Sequence, residues 1–315
     1  MDRFGAIDVG SNSIKLTVAE SAGDGRLDVI LTAHRVPQLA RGTGADGVLD
    51  AGAMDRAVEA ITDLLESAGQ LQVSAIRAVA TQAVRAAPNG ADFIQRVREE
   101  CGVELDVLDA EQEARLSWSA LCRDQDVGDG PSVLLDVGGG SAECLLATGS
   151  DVESVHSMPL GALQLTEQFD LHDRIDAEAW ASACAHVRSV IEDALPHPEH
   201  TPYVWAVGGT CTALVELDRL GIGLDAGADL IPASESWAFT GLACARIDAI
   251  VDALRRWSLA EREQATAVDR ARAAILPAGG LVVQMLLSRF GVSTGCCVTR
   301  HGVRDGVLQS MAAAD

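Results

Sequence analysis

The chain has 315 residues, 48% hydrophobic and 22% charged, which suits a globular protein of about two domains and excludes a disordered one. A net charge of −22 makes it a poor non-specific ligand for nucleic acid or an anionic membrane surface, because the phosphate lattice repels it. The apolar runs read as short and punctuated, and Met1-Asp2-Arg3-Phe4 leads straight into a strand-like pattern, so neither a bilayer span nor a signal peptide is expected.

Residues 4–9 read as a buried strand and Gly10-Ser-Asn-Ser as a turn. Ile14, Leu16 and Val18 then alternate with Lys15, Thr17 and Ala19, a half-buried second strand. A third strand follows at 27–32. Met54, Val58, Ile61 and Leu65 recur at helical spacing. Residues 73–80 read as a strand, Phe93 and Val97 mark a helix, 103–108 is a further strand, and a helix starts near Glu111. The pattern then restarts with a strand at 133–137, the turn Gly138-Gly-Gly-Ser and a return strand from Cys144. A helical stretch near 176–193, a strand at 203–207 and the turn Gly208-Gly-Thr come next. The remainder reads as largely helical, with Ser258 and Glu261 spaced for a capping box. Asp8-Val-Gly-Ser-Asn-Ser13 thus aligns with Asp136-Val-Gly-Gly-Gly-Ser141. Duplication of a strand–turn–strand unit implies two similar α/β halves facing across a cleft.

Lys15 is the only lysine, and the other 23 basic residues are arginine. Lys15 follows Ile14 and not glycine, which excludes a P-loop, and a Schiff-base mechanism would have to fall on this one residue. The eight cysteines form no Cys-x-x-Cys and sit mostly among apolar neighbours, so they read as small hydrophobes in a reducing cytoplasm. His197 and His200 bracket Pro198 in a surface turn. Gly42-Thr-Gly-Ala-Asp-Gly47 matches the dinucleotide fingerprint in letters, but it follows no clean buried strand and reads as a loop.

Each duplicated turn sets a carboxylate, Asp8 or Asp136, at the end of a buried strand, followed by small residues. Glycines there allow positive φ and bring successive N–H groups close to an anion. Ser11, Ser13 and Ser141 add hydroxyl donors. A carboxylate so near an anion needs a cation between them, which Mg²⁺ supplies. The bland alternative is a pair of tight hairpins capped by their aspartates; finding two related turns favours the phosphate reading. Asp109-Ala-Glu-Gln-Glu-Ala-Arg-Leu116 opens a helix on acidic residues, which the macrodipole alone explains, or presents one glutamate as a general base. Ala80-Thr-Gln-Ala-Val-Arg85 follows a strand and opens a helix. Thr81 then stands at an anion-attracting N-terminus and Arg85 within reach of a bidentate phosphate clamp, or the segment is a capped helix with a surface arginine.

Taken together, these pieces resemble the exopolyphosphatase / guanosine pentaphosphate phosphohydrolase (Ppx/GppA) family. They are joined by Pro159-Leu-Gly-Ala162, Gly208-Gly-Thr210 and Gly302-Val-Arg-Asp-Gly306, in family order over nearly the whole chain. The resemblance implies two ribonuclease H-like domains of the actin–sugar kinase–Hsp70 superfamily, expected at 1–120 and 121–315, in a short two-domain form. It implies Glu113 as the catalytic base. It implies Asp136 and Glu143, with Asp8, on Mg²⁺ or Mn²⁺. Phosphate contacts carried over are Ser11, Asn12, Ser13, Thr81, Arg85, Gly138, Gly139, Gly140 and Ser141. Asp305 stands where the family usually has Glu, and Gln164 where many members carry Arg.

The activity this implies is metal-dependent hydrolysis of the terminal phosphoryl group of inorganic polyphosphate, on short chains because cations are few. Release of the 5′-γ-phosphate of guanosine pentaphosphate uses the same chemistry. An ATP-dependent kinase with its nucleotide near Gly208–Thr210, and a non-catalytic sensor of polyphosphate or an alarmone, are the readings from other classes. A homodimer through the helical second half fits the family, although no heptad or exposed stripe marks one.

Overall fold

The computed structural model describes residues 2–22, 26–43, 46–223, 239–266, 268 and 270–314. Gly44 and Ala45 of the fingerprint-like loop lie outside the described residues. The chain divides into two compact units, Met1–Gln125 with His301–Asp315, and Asp126–Arg300.

In the first unit β1 (Arg3–Val9), β2 (Ile14–Ser21) and β3 (Leu27–Arg35) form an antiparallel meander. β4 (Ala75–Ala80) pairs parallel to β1, and β5 (Leu105–Val107) parallel to β4. The sheet order is β3-β2-β1-β4-β5. β1 is central and apolar on both faces, as a strand covered on both sides must be. Ile7 and Val9 face the core of α1 (Ala51–Gln70), while Phe4 and Ala6 belong to a second cluster. α1 starts where the Asp50 side chain accepts from Ala53 N–H at 2.9 Å, an ordinary N-cap. α2 (Gln82–Ala86) and α3 (Gly90–Arg96) follow β4, α3 runs on into a π-helical turn (Val97–Cys101), and α4 (Ala110–Asp124) follows β5.

The second unit repeats the plan. β6 (Pro131–Val137), β7 (Ala142–Thr148) and β8 (Asp151–Met158) are the meander. After α5 (Ala162–Gln168) and α6 (Ala177–Ala194), β9 (Tyr203–Val207) pairs parallel to β6. α7 (Gly208–Arg219), β10 (Phe239–Ala243), α8 (Cys244–Arg256), α9 (Leu259–Thr266), α10 (Arg270–Arg289) and β11 (Gly295–Thr299) complete it, in the sheet order β10-β11-β9-β6-β7-β8. A meander extended by parallel strands in each unit is the duplicated α/β plan that the repeated hairpin implied, and it agrees with the ribonuclease H-like domains that the resemblance implied. The expected capping box is present: Ser258 N–H donates to Glu261 Oε2 at 2.7 Å, and Glu261 N–H to Ser258 Oγ at 3.3 Å.

Several expectations are corrected. β8, β10 and β11 are strands that the sequence reading does not contain, and Gly208-Gly-Thr210, read as a turn after β9, opens α7. α10 is long and apolar enough to cross a membrane by length and composition, against the reading of short apolar runs. Its residues from Ala273 to Leu287 are largely buried in the second unit's core, the place of a core helix. The boundary at 120/121 moves at both ends. α4 runs on to Asp124, and α11 (Val303–Ala312) rejoins the first unit against α4 and β1. A Cβ on Gly306 would strike the Leu116 carbonyl, so only glycine lets α11 lie this close to α4. The eight cysteines are free, and burial pushes the thiols of Cys144, Cys211 and Cys296 up, the last to about 12, leaving them unreactive.

Candidate active site

The turn between β1 and β2 closes through Gly10 N–H to the Ser13 carbonyl at 3.1 Å. It is backed by residues 38–40: Gln38 N–H donates to the Asn12 carbonyl at 3.0 Å and Ala40 N–H to the Ser11 carbonyl at 2.9 Å. Gln38 reaches this position with φ 54, in the left-handed region that non-glycine residues rarely adopt. Ser11, Asn12 and Ser13 are buried, and the Asn12 Oδ1 and Asp8 Oδ1 atoms have no hydrogen-bond partner. An unsatisfied buried oxygen costs free energy that a cation or a donor would offset. Two such atoms at one strand end single out this turn.

Thr81 caps α2 and is tied to β1, its N–H donating to the Val9 carbonyl at 3.3 Å and its hydroxyl to the same oxygen at 3.5 Å. α2 spans five residues, so the helix that this segment opens is little more than one turn. Arg85 is not held out to solvent. Its Nη1 donates to the Leu108 carbonyl at 2.5 Å and to Glu113 Oε1, and its Nη2 donates to Gln82 Oε1 at 2.7 Å. Glu113 stands in the first turn of α4, whose capping box joins Asp109 to Gln112. Glu111, the other candidate in that turn, is exposed and pairs with Arg115 at 2.8 Å. The two glutamates therefore have different environments. Only Glu113 is mostly buried, with 13% of its side chain exposed.

In the second unit the turn between β6 and β7 closes in the same way, Gly138 N–H to the Ser141 carbonyl at 3.0 Å. Its backing is the start of α5. Ala162 N–H donates to the Gly138 carbonyl at 2.8 Å, and Leu163 and Gln164 N–H both donate to the Gly139 carbonyl, at 2.9 and 3.2 Å. A Cβ on Gly161 would overlap the backbone of Gly139 and Gly140, which explains the glycine of Pro159-Leu-Gly-Ala162. Positive φ is not what the turn glycines provide: Gly10, Gly138, Gly139 and Gly140 all keep φ negative. Close approach favours glycine at the first position of each turn. A Cβ on Gly138 would sit 3.3 Å from the Ser141 carbonyl, and one on Gly10 3.0 Å from that of Ser13.

The β6–β7 register sets Asp136 directly opposite Glu143. Glu143 is buried and accepts a 2.9 Å hydrogen bond from Ser157 Oγ on β8. Asp136 leans on Gly208 (φ 88), where any Cβ would meet Asp136 Oδ1. Thr210 Oγ1 donates to the Val137 carbonyl at 2.9 Å, and Arg272 Nη1 to the Gly209 carbonyl at 2.7 Å, fixing the start of α7 beside the carboxylate. Gly279 of α10 admits Thr210, since a Cβ there would press on the threonine side chain. Like charges directly opposite on paired strands destabilise a sheet unless something offsets them. A hard divalent cation does so, and Mg²⁺ is commonly held by one or two carboxylates together with substrate phosphates and water. The donor set fits that ion. Among the described residues no group of three or more His, Cys, Asp and Glu side chains gathers as a metal site.

Sequence reasoning missed Ser157 because β8 was not foreseen. It missed Arg272 because nothing local separates that arginine from Arg270, and Gln82 because a glutamine beside Thr81 looks like ordinary helix surface.

A profile of the Ppx/GppA phosphatase family matches residues 17–314. An uncharacterised protein of Streptomyces coelicolor is 32% identical over 310 residues, covering 97% of this chain and 89% of that one. Exopolyphosphatase 1 of Mycobacterium tuberculosis is 34% identical over 167 residues, 53% of this chain and 48% of that protein, so the match spans about half the length of the mycobacterial relative. The crystal structure of the Aquifex aeolicus Ppx/GppA family member superposes with a TM-score of 0.77 at 26% identity, covering 99% of this chain and 98% of that one. An exopolyphosphatase from Cytophaga hutchinsonii superposes with a TM-score of 0.86 at 21% identity over 99% of this chain and 98% of that one, a likeness of fold.

Proposed function

The chain belongs to the Ppx/GppA phosphatase family, and from that premise we propose that it hydrolyses the terminal phosphoanhydride bond of inorganic polyphosphate, taking short chains. The observation that carries this reading is the opposed Asp136–Glu143 pair at the mouth of a glycine turn clamped by α5. The partial likeness to exopolyphosphatase 1 supports the choice of substrate. A single lysine, with glutamine at position 164, supports the short chain length.

In this reading a water oxygen bonds to the terminal phosphorus and the bridging P–O bond breaks. The shortened chain leaves with the electron pair, and Glu113 takes the water's proton. In the second unit the Gly138, Gly139 and Gly140 amides and the Ser141 hydroxyl hold phosphate oxygens. In the first unit Ser11, Asn12, Ser13 and Thr81 do so, and Arg85 anchors one phosphoryl group. Asp136 and Glu143 would hold Mg²⁺ or Mn²⁺, and Asp8 marks the corresponding strand end of the first unit. Such an ion, when bound, neutralises charge on the equatorial oxygens. Positioning and electrostatics then supply most of the acceleration.

The test is phosphate release with Mg²⁺ or Mn²⁺ on polyphosphates of graded length, with guanosine pentaphosphate alongside. Metal-dependent release, highest on short polyphosphate, is the expected result. Faster release from guanosine pentaphosphate would move the chain to the other activity of its family, and no release from either would end the hydrolase reading.

A further inference from the structure

Arg85 has two tasks that compete for the same atoms. The two hydrogens of its Nη1 are both engaged, one by the Leu108 carbonyl and one by Glu113, while Nη2 donates to Gln82. A bidentate grip on a phosphoryl group through the Nη1–Nη2 edge needs one hydrogen from each nitrogen. A grip through that edge therefore requires one present partner of Nη1 to leave. The Leu108 carbonyl is main chain, and its residue is anchored by Leu108 N–H to the Ala80 carbonyl at 2.9 Å. Glu113 needs only to turn about its side-chain bonds.

We propose that Arg85 is a positioning residue for Glu113 as well as a phosphate ligand, and that the incoming phosphoryl group displaces the Glu113 carboxylate from it. This rests on the functional reading above. Without substrate the carboxylate is held by the guanidinium. With substrate, the phosphoryl oxygens take that place and the carboxylate turns to the attacking water. Gln82 and the Leu108 carbonyl keep the guanidinium fixed while its partner changes. The base is thus released only where a phosphoryl group is present.

The test is a double-mutant cycle read by calorimetric binding of inorganic orthophosphate in EDTA, a ligand that cannot turn over. Glu113→Gln removes the charged competitor. It should tighten orthophosphate binding about tenfold, the scale that separates a charge-assisted from a neutral hydrogen bond. In an Arg85→Met background the same change should have an effect below about twofold, because the contested guanidinium is gone. An equal gain in both backgrounds would mean simple charge repulsion and would overturn the proposal, as would no gain in either. Thermal melts check that each variant folds, and Arg85→Gln repeats the cycle should Arg85→Met not fold. If the parent hydrolyses polyphosphate but binds no orthophosphate, the exchange fails and the function stands. If it neither hydrolyses nor binds, the functional reading itself fails.

Discussion

The two hairpin turns share their closing bond and the aspartate before it, but they sit in different frames. In the first unit the turn leans on the irregular segment around Gln38, and the residue opposite Asp8 across the hairpin is Lys15. In the second the turn leans on the first amides of α5, and the residue opposite Asp136 is Glu143. One cross-strand pair sets a base opposite its carboxylate, while the other sets two carboxylates opposite each other. The duplicated backbone is a device for holding a turn in place. The single residue facing the aspartate decides what the end of each hairpin is fitted to meet.

If the proton acceptor belongs to the first unit and the cation to the second, their losses should separate. Glu113→Gln should lower turnover by at least about two orders of magnitude, the range of a general base, and leave Mn²⁺ affinity within about twofold. Steady-state rates with Mn²⁺ titrations followed by electron paramagnetic resonance measure both. Near-normal turnover would remove Glu113 from the base role. Ser157→Ala should do the reverse, raising the Mn²⁺ concentration needed for half-saturation by about tenfold, because the hydroxyl that orients Glu143 is lost. Ser157→Thr keeps the hydroxyl and should recover most of it. If the alanine variant binds Mn²⁺ like the parent, the opposed carboxylates are not the cation's home.

The frames themselves can be strained next. Gly161→Ala pushes a Cβ into the Gly139–Gly140 backbone and should cost about 1–3 kcal/mol of unfolding free energy, the usual range for overpacking, in urea titration. The first turn leans on residues 38–40, where a left-handed backbone and not overpacking is the feature to alter. Gln38→Gly relieves a left-handed residue and should change stability by no more than about 1 kcal/mol. Equal losses from the two substitutions would mean that the frames are not the different devices described above.

Much of this was legible in the sequence because it is local. The alternation around Lys15 and the repeat of Asp-Val-Gly fixed two hairpins, and a hairpin's register puts Glu143 opposite Asp136 without further information. The capping residues of α9 were equally plain. What was not legible is tertiary. The glycines of both turns looked like positive-φ residues, but Gly10 and Gly138 lie close to a carbonyl and Gly139 and Gly140 lie against Gly161 at the start of α5, contacts that depend on parts of the chain a turn pattern does not show. β10 and β11 are short strands embedded between helices, so no period announced them. The return of α11 to the first unit depends on Gly306 meeting the Leu116 carbonyl, a contact no spacing encodes. The same holds for Arg85, whose basic side chain looked free for phosphate until α4 brought Glu113 to it.

The return of α11 also gives the first unit a proton-linked clasp. His301 Nδ1 lies 3.3 Å from Asp124 Oδ2 at the end of α4 and 3.8 Å from Asp305 Oδ1 in the first turn of α11. The hydrogen bond to Asp305 and the charges of Asp305 and Asp124 raise its pKa above the ordinary 6.5, against the opposing effect of burial. The folded state therefore holds this proton more tightly than the unfolded chain does. Its contribution to stability is complete below about pH 6.5 and is lost as pH rises through the raised folded-state value. Hydrogen exchange corrected for intrinsic rates should show α4 and α11 losing protection between pH 6 and pH 8.5 relative to α7 of the second unit. His301→Gln should flatten that difference and lower protection at pH 6 toward the pH 8.5 level. This is the smallest of the expected effects. It is also the most local, since protection that rose with pH in α4 and α11 would reverse the sign of the linkage and leave α11 held by packing alone.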